Sequence, residues 1–100
     1  MTFVDKLPYH AVKIGPKNWY CPVLDNEDNW VAITEYHLEI TGRICAGFVP
    51  FNIKSEIFTP RAAKWNVHSY DPLTLTPSLL CRTCGSHGFI TEGRWVQARN

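Results

Sequence analysis

The sequence predicts an all-β or β-rich α+β fold, as a small single-domain sandwich or half-open barrel, from three observations. Short runs of β-branched and aromatic residues dominate the 100-residue chain, and no long segment keeps the 3.6-residue apolar period of an amphipathic helix. Clusters of Gly, Pro, Asn and Asp separate these runs at short intervals. Hydrophobic residues make up 45% of the chain and include four Trp, which suffices for one globular core over residues 1–100.

Each predicted strand is one such run between two breaks. The strand candidates cover residues 9–14, 19–24, 30–34, 36–41, 43–49, 51–58 and 79–81. The C-terminal hairpin is the clearest element, because Glu92 and Gly93 separate two further runs, and a two-residue connection ending in Gly suits a tight turn. A single short helix is predicted over residues 60–65, with Thr59 as its cap and Pro60 at its first position.

Charge and hydropathy exclude several classes of partner. The formal net charge of +1 argues against binding nucleic acid through bulk charge. No apolar run reaches 18 residues, so we expect no transmembrane helix and no membrane partner. The N-terminus lacks the basic start and apolar block of a signal peptide, so secretion by that route is not expected.

Three potential metal ligands, Cys81, Cys84 and His87, lie within seven residues. Two thiols at C-x-x-C spacing can hold one ion within a single turn, and Gly85 lets the backbone adopt the positive φ that aims amides at the sulfurs. Without an export signal, the cysteines are expected to be ligands or free thiols rather than disulfides. The pattern predicts one Zn²⁺ per chain, in a metal knuckle and hairpin over residues 81–97.

The fourth ligand of this predicted zinc site has to come from another segment, because zinc takes four ligands and the cluster supplies three. His68 is the first candidate, since it precedes the cluster by only thirteen residues, and Cys45 and Cys21 are the alternatives. A protein ligand would close the site and make it structural, whereas a water would leave a Lewis acid able to activate a nucleophile. We expect a closed site.

Two enzyme hypotheses compete with a structural site. A zinc deaminase would use an H-x-E motif at His37 and Glu39, but that segment is predicted as a strand, whereas the motif normally lies on a helix. A hydrolase would use Ser78 as nucleophile, His87 as base and Asp71 as the group that orients the base. A nitrogen bonded to zinc cannot accept a proton, so a zinc ion on the nitrogen of His87 that faces Ser78 would exclude this hydrolase.

The C-terminal third carries the most specific pattern in the chain. It reads TLTPS at residues 74–78, CRTCGSHGFI at 81–90 and GRW at 93–95. In order and spacing, roughly residues 65–96 resemble a family of small uncharacterised bacteriophage and bacterial proteins. The resemblance implies a phage or prophage origin and a metal knuckle at Cys81, Cys84 and His87. Some longer bacterial relatives are associated with ubiquitin-like conjugation operons, where a peptidase role is expected. Those relatives continue into a further segment that contains Asp and His. Residues 1–100 of this sequence do not include a matching segment.

On these grounds we favour a non-catalytic, phage-encoded zinc-knuckle domain that binds protein. Its partner would be a phage structural protein or a host factor, and its location the host cytoplasm or the virion. The alternative is a minimal hydrolase or peptidase that acts through Ser78 and His87 or through an open zinc site. A weaker alternative is a nucleic-acid-binding knuckle that uses the nearby Arg82, Arg94 and Arg99.

Overall fold

Ten β-strands form the protein in a computed structural model that describes residues 2–53 and 63–98. The strands are β1 (Thr2–Val4), β2 (Val12–Gly15), β3 (Asn18–Leu24), β4 (Trp30–Leu38), β5 (Ile44–Pro50), β6 (Asn66–Tyr70), β7 (Leu73–Thr76), β8 (Leu79–Leu80), β9 (His87–Thr91) and β10 (Arg94–Gln97). Within the described ranges there is no helix, and therefore none long and apolar enough to cross a bilayer. The prediction of a small all-β domain is confirmed.

The strands are arranged in three sheets. The largest has five strands in the order β1-β5-β4-β3-β2, and all of its neighbouring strands are antiparallel. The second sheet has the order β10-β9-β8, and the third is the β6-β7 pair. The second and third sheets are joined at their ends, because the Gly93 amide donates to the Leu73 carbonyl (2.8 Å) and the Glu92 amide to the Thr74 hydroxyl (2.9 Å).

The hydrophobic core lies where the three sheets meet, and every sheet contributes to it. Its buried members are Ile14, Tyr20, Ile33, Val49, Phe51, Leu73, Leu75, Leu79 and Ile90. On β4 the inward-facing residues are Ile33, Glu35 and His37, because side chains alternate along a strand. The interior of the large sheet therefore changes from apolar at Ile33 to polar at Glu35 and His37, which are both buried.

The β9–β10 hairpin matches the prediction from sequence. Glu92 has φ 51° and Gly93 φ 74°, the two positive values that a tight two-residue hairpin turn requires. Within this hairpin Gly88 is required sterically, since a Cβ there would lie 2.5 Å from the Trp95 ring and 2.7 Å from the Val96 carbonyl oxygen. The ring packs directly on the Gly88 backbone and holds β9 against β10.

Other elements differ from the sequence prediction. The candidates at 30–34 and 36–41 form one strand, β4, because Glu35 between them turns inward instead of breaking the strand. Strands β6 and β7 were not predicted, because Pro72 and Pro77 leave only short runs here, although polar and apolar residues alternate as they do in a half-buried strand. The helix predicted over 60–65 and the end of the candidate at 51–58 fall largely outside the described residues. At the border of that range, Trp65 forms an isolated parallel bridge with Phe51.

Candidate functional site

Four potential metal ligands come together at the polar end of the interior of the large sheet. His37 on β4 pairs directly with Cys45 on β5, and Cys81 and Cys84 reach them from the loop between β8 and β9. Their ligand atoms all lie within 4.8 Å of one another. Three of the residues are buried and Cys84 is exposed. Donor atoms around a tetrahedral zinc are separated by roughly 3.5–3.8 Å, given metal–ligand bonds of about 2.0–2.3 Å. The group could therefore hold a metal ion.

The C-x-x-C loop is shaped by its backbone. Gly85 has φ 80°, its amide donates to the Cys81 carbonyl (2.8 Å), and the Cys81 amide donates to the Ser86 carbonyl (2.8 Å). Burial acts to raise the pKa of Cys81, but hydrogen bonds from the backbone amides of Cys84 and Thr83 outweigh it and lower the pKa to about 7. These bonds favour the thiolate, which is the form that binds a metal.

A buried carboxylate orients His37. Both Glu35 carboxylate oxygens lie within hydrogen-bond distance of His37 Nδ1, at 2.8 and 2.9 Å, and His37 Nε2 lies 3.1 Å from Cys84 Sγ. Burial acts to lower the pKa of His37, but the hydrogen bond and charge of Glu35 more than offset it and raise the pKa to about 9. Metal-binding histidines commonly donate their second ring nitrogen to a carboxylate in this way. Glu35 therefore leaves Nε2 of His37 directed at the three sulfurs.

The charge of the Cys45 thiol depends on whether a cation lies among the three sulfurs. Burial, followed by the negative charge of Cys81 and Cys84, raises the pKa of Cys45 to about 12. Cys45 therefore keeps its proton at neutral pH in the absence of a cation, and a metal ion among the sulfurs would favour its thiolate. Three sulfurs and one imidazole are a donor set typical of zinc. The chemistry of these residues therefore fits a zinc ion.

The structure brings together part of the ligand set predicted from sequence. Cys81 and Cys84 are in the cluster, as is Cys45, the second candidate for the fourth ligand. His68 Nε2 is instead 2.7 Å from the Thr76 hydroxyl, outside the cluster. Cys21 is buried on β3 and is likewise not part of the group.

His37 was missed as a potential ligand by sequence reasoning. It was considered only as part of an H-x-E deaminase motif with Glu39, yet Glu39 contacts Thr41 and Arg43 on the exposed turn after β4. A signal did exist, because Glu35 and His37 are two residues apart on a strand and therefore share one face. Two ionisable residues on the buried face of a strand indicate a polar centre. Cys45 supplies a fourth potential ligand atom, so a metal ion held by all four residues would have no open position of the kind that a deaminase needs.

His87 does not join the metal cluster and instead pairs with Ser78. The Ser78 hydroxyl and His87 Nε2 are 2.7 Å apart, so the hydroxyl can donate its proton to the ring nitrogen. Ser78 immediately precedes β8 and His87 begins β9, and the cross-strand pair Leu80–His87 fixes the second strand against the first. The two side chains thus have the geometry of a nucleophile and its general base.

No acidic residue orients His87 in the part of the chain that the structure describes. The predicted orienting residue, Asp71, lies near Tyr20, whose pKa is raised by burial and secondly by the charge of Asp71. Ser78 itself is held through its backbone, since the Trp65 indole Nε1 donates to the Ser78 carbonyl oxygen at 3.2 Å. Within the described residues, the structure therefore contains a Ser–His dyad and not a triad.

Comparison with known proteins adds one finding. The model of a family described as bacterial ubiquitination-like system serine protease (BubE) matches residues 42–98. The match spans β5 to β10 and includes Ser78, His87 and the three cysteines of the cluster, whereas His37 lies before it. No curated protein and no solved structure matches the chain.

The family match overturns two predictions made from sequence. The assignment to a bacteriophage or viral protein is wrong, because the matched family is bacterial. The prediction of a non-catalytic protein-binding module is also wrong, because the family is one of serine proteases. That prediction assumed that His87 binds zinc and so cannot act as a base. The structure removes the assumption by placing His37 among the cysteines and His87 beside a serine hydroxyl.

Proposed function

The chain belongs to the family of bacterial ubiquitination-like system serine proteases (BubE), and on that basis we propose that Ser78 is its nucleophile and His87 its general base. The 2.7 Å separation of Ser78 Oγ and His87 Nε2 carries this assignment. The family description also suggests the substrate class, which we propose is a protein or conjugate of a ubiquitination-like system.

The proposed reaction follows the usual two steps of a serine protease. Ser78 Oγ attacks the carbonyl carbon of the scissile bond while His87 Nε2 takes the hydroxyl proton. His87 then gives that proton to the leaving nitrogen, the C–N bond breaks, and the acyl group stays on Ser78. A water molecule attacks the ester, His87 takes a proton from the water, and that proton returns to Ser78 as the carboxylic acid product leaves.

His87 must keep its proton on Nδ1 for Nε2 to accept one. Many serine proteases use a buried acid to fix this tautomer, but no described carboxylate contacts His87 here. In its place, a hydrogen bond donated by Ser78 to Nε2 favours the tautomer with the proton on Nδ1, and the β8–β9 pairing at Leu80 fixes the backbone of His87. We therefore propose catalysis by a dyad of Ser78 and His87.

The four-ligand cluster is proposed to hold a structural zinc ion. Four protein ligands close the coordination sphere, which is typical of structural and not catalytic zinc. When bound, the ion supplies a cross-link between β4, β5 and the loop after β8 and neutralises the thiolates. Because His37 provides the nitrogen ligand, the ring nitrogens of His87 remain free for proton transfer.

Labelling with a fluorophosphonate tests the proposed nucleophile. We expect the wild-type protein to take up one label, located on Ser78 by peptide mass spectrometry, because the probe reacts with serines activated by a base. Ser78→Ala should abolish labelling, whereas Ser86→Ala, a matched change of a serine in the neighbouring loop, should retain it. Unchanged labelling of Ser78→Ala would overturn the assignment.

A further inference from the structure

We infer that the outward face of the β8–β9–β10 sheet binds the substrate, as an extended polypeptide with an apolar side chain next to the scissile bond. The inference rests on the proposed function and adds the specificity of the same site. The contact surface consists of Leu80, Phe89 and Val96, one residue from each of the three strands. We refer to these three residues as the apolar platform.

Strand register places the apolar platform on the same face as the dyad. Leu80 is the cross-strand partner of His87, and Val96 is the partner of Phe89. Phe89 follows His87 by two residues and so points to the same side of the sheet. Ser78 bonds to His87 on that side, and the antiparallel register of β8 and β9, continued by one residue, sets Ser78 opposite Phe89.

Burial confirms which face is outward. Leu80, Phe89 and Val96 are 53%, 37% and 47% exposed. Their neighbours in the chain point to the opposite face: Leu79, next to Leu80, and Ile90, next to Phe89, are almost completely buried and belong to the core. The inner face therefore already has its packing partners, and the outer face leaves three large apolar side chains in water.

The positions of Phe89 and Val96 relative to Ser78 indicate that the apolar platform binds a substrate side chain. Neighbouring strands are about 4.8 Å apart, so Phe89 lies roughly one strand spacing from Ser78 and Val96 roughly two. A substrate carbonyl at Ser78 Oγ would bring the adjoining side chain over Phe89. Phe89 and Val96 are direct cross-strand partners, so their exposed side chains place an apolar surface beside the nucleophile.

The platform should discriminate by polarity. An apolar side chain over Phe89 and Val96 would remove the apolar surface of both partners from water. A charged side chain in the same place would lose hydration on an apolar surface, because among the described residues of β10 the charged residue on this face is Arg94, two positions before Val96 and not beside it. We therefore expect leucine-like side chains to be preferred over carboxylate or ammonium side chains.

Reactive probes that differ in one side chain test this specificity. The probes are N-acetyl amino-acid diphenyl phosphonates bearing the side chain of leucine, glutamate or lysine, and the readout is the second-order rate of Ser78 modification. Each rate is divided by the fluorophosphonate rate of the same variant, which corrects for the fraction of competent sites. In the wild-type protein, the leucine probe should react about tenfold faster than either charged probe.

Two variants and one control complete the test. Phe89→Ser and Val96→Ser should each reduce the leucine preference by about threefold or more, whereas Tyr9→Ser, at a fully exposed aromatic on the turn before β2 and outside the β8–β9–β10 sheet, should leave it unchanged. Equal wild-type rates for the three probes, or the full preference in both platform variants, would overturn the inference while fluorophosphonate labelling persists. Absence of fluorophosphonate labelling in the wild-type protein would instead overturn the proposed function, and this inference with it.

Discussion

At the scale of single residues, two histidines differ because of the atoms that face them. His37 has a buried carboxylate on one ring nitrogen and a cysteine sulfur beside the other. His87 has a serine hydroxyl on Nε2. A ring nitrogen can bind a metal or accept a proton, but not both at once. The assignment of one histidine to each task lets a metal cluster and a nucleophile lie on neighbouring segments without competing.

Glu35 is expected to act on the metal through His37. Glu35→Gln keeps the size of the side chain but removes the charge that holds the His37 ring, so zinc affinity should fall by about 10–100-fold. Competition with a chromophoric chelator measures this change. Glu39→Gln, at a carboxylate on the turn after β4 that contacts Thr41 and Arg43, provides the matched control and should retain wild-type affinity. Equal affinities for the two variants would contradict the role of Glu35.

At the scale of elements, the β8–β9 loop links the two sites. Residues 81–86 connect the strand after Ser78 to the strand that begins at His87, and the loop carries two of the four ligands. Metal binding at this loop would fix it to β4 and β5 and thereby hold the two catalytic strands in register. The cluster is thus expected to support the dyad through the backbone and without contacting the substrate.

Substitution of two buried cysteines of the large sheet, one inside the cluster and one outside it, tests whether the metal supports the dyad. Cys45→Ser should abolish zinc binding, lower the free energy of unfolding by about 3 kcal/mol or more, and reduce fluorophosphonate labelling of Ser78. Cys21→Ser, at a thiol that is also buried but lies outside the cluster, should keep its zinc. Elemental analysis, denaturant unfolding and labelling measure the three effects. If both variants kept one zinc per chain, the assignment of Cys45 as a ligand would be wrong.

Local signals in the sequence were sufficient for some elements. The turn at Glu92 and Gly93 was predictable because two adjacent residues determine it. The contribution of Cys81 and Cys84 was predictable for the same reason, since both ligands lie in one turn. Strands β6 and β7 were missed although Val67, Tyr70 and two threonines favour strands, because Pro72 and Pro77 leave only short runs in this segment.

The division of roles was not predictable from local sequence. Cys81 is separated from His37 by 44 positions in the chain, and only the pairing of β4 with β5 and the docking of the β8–β9 loop bring the two residues together. His87 occupies the position at which a local zinc pattern expects a ligand. Its hydrogen-bond partner, Ser78, immediately precedes β8, the strand that the cysteine loop connects to β9.

At the scale of the whole molecule, the metal cluster continues the core. Along the inner face of β4, Ile33 belongs to the hydrophobic core, and Glu35 and His37 extend the interior toward Cys45. A chain of 100 residues buries a limited apolar surface, so a metal cross-link at one end of its interior is a useful supplement. The outer face of the small sheet then remains available for the dyad and the apolar platform.

The zinc content of His87→Ala and the rate at which a fluorophosphonate labels its Ser78 test the central claim most directly. If His37 and the three cysteines hold the metal while His87 acts as base, this variant should bind one zinc per chain. Its rate of fluorophosphonate labelling at Ser78 should fall by about 10³-fold or more. Loss of zinc from His87→Ala, or labelling at the wild-type rate, would contradict the account.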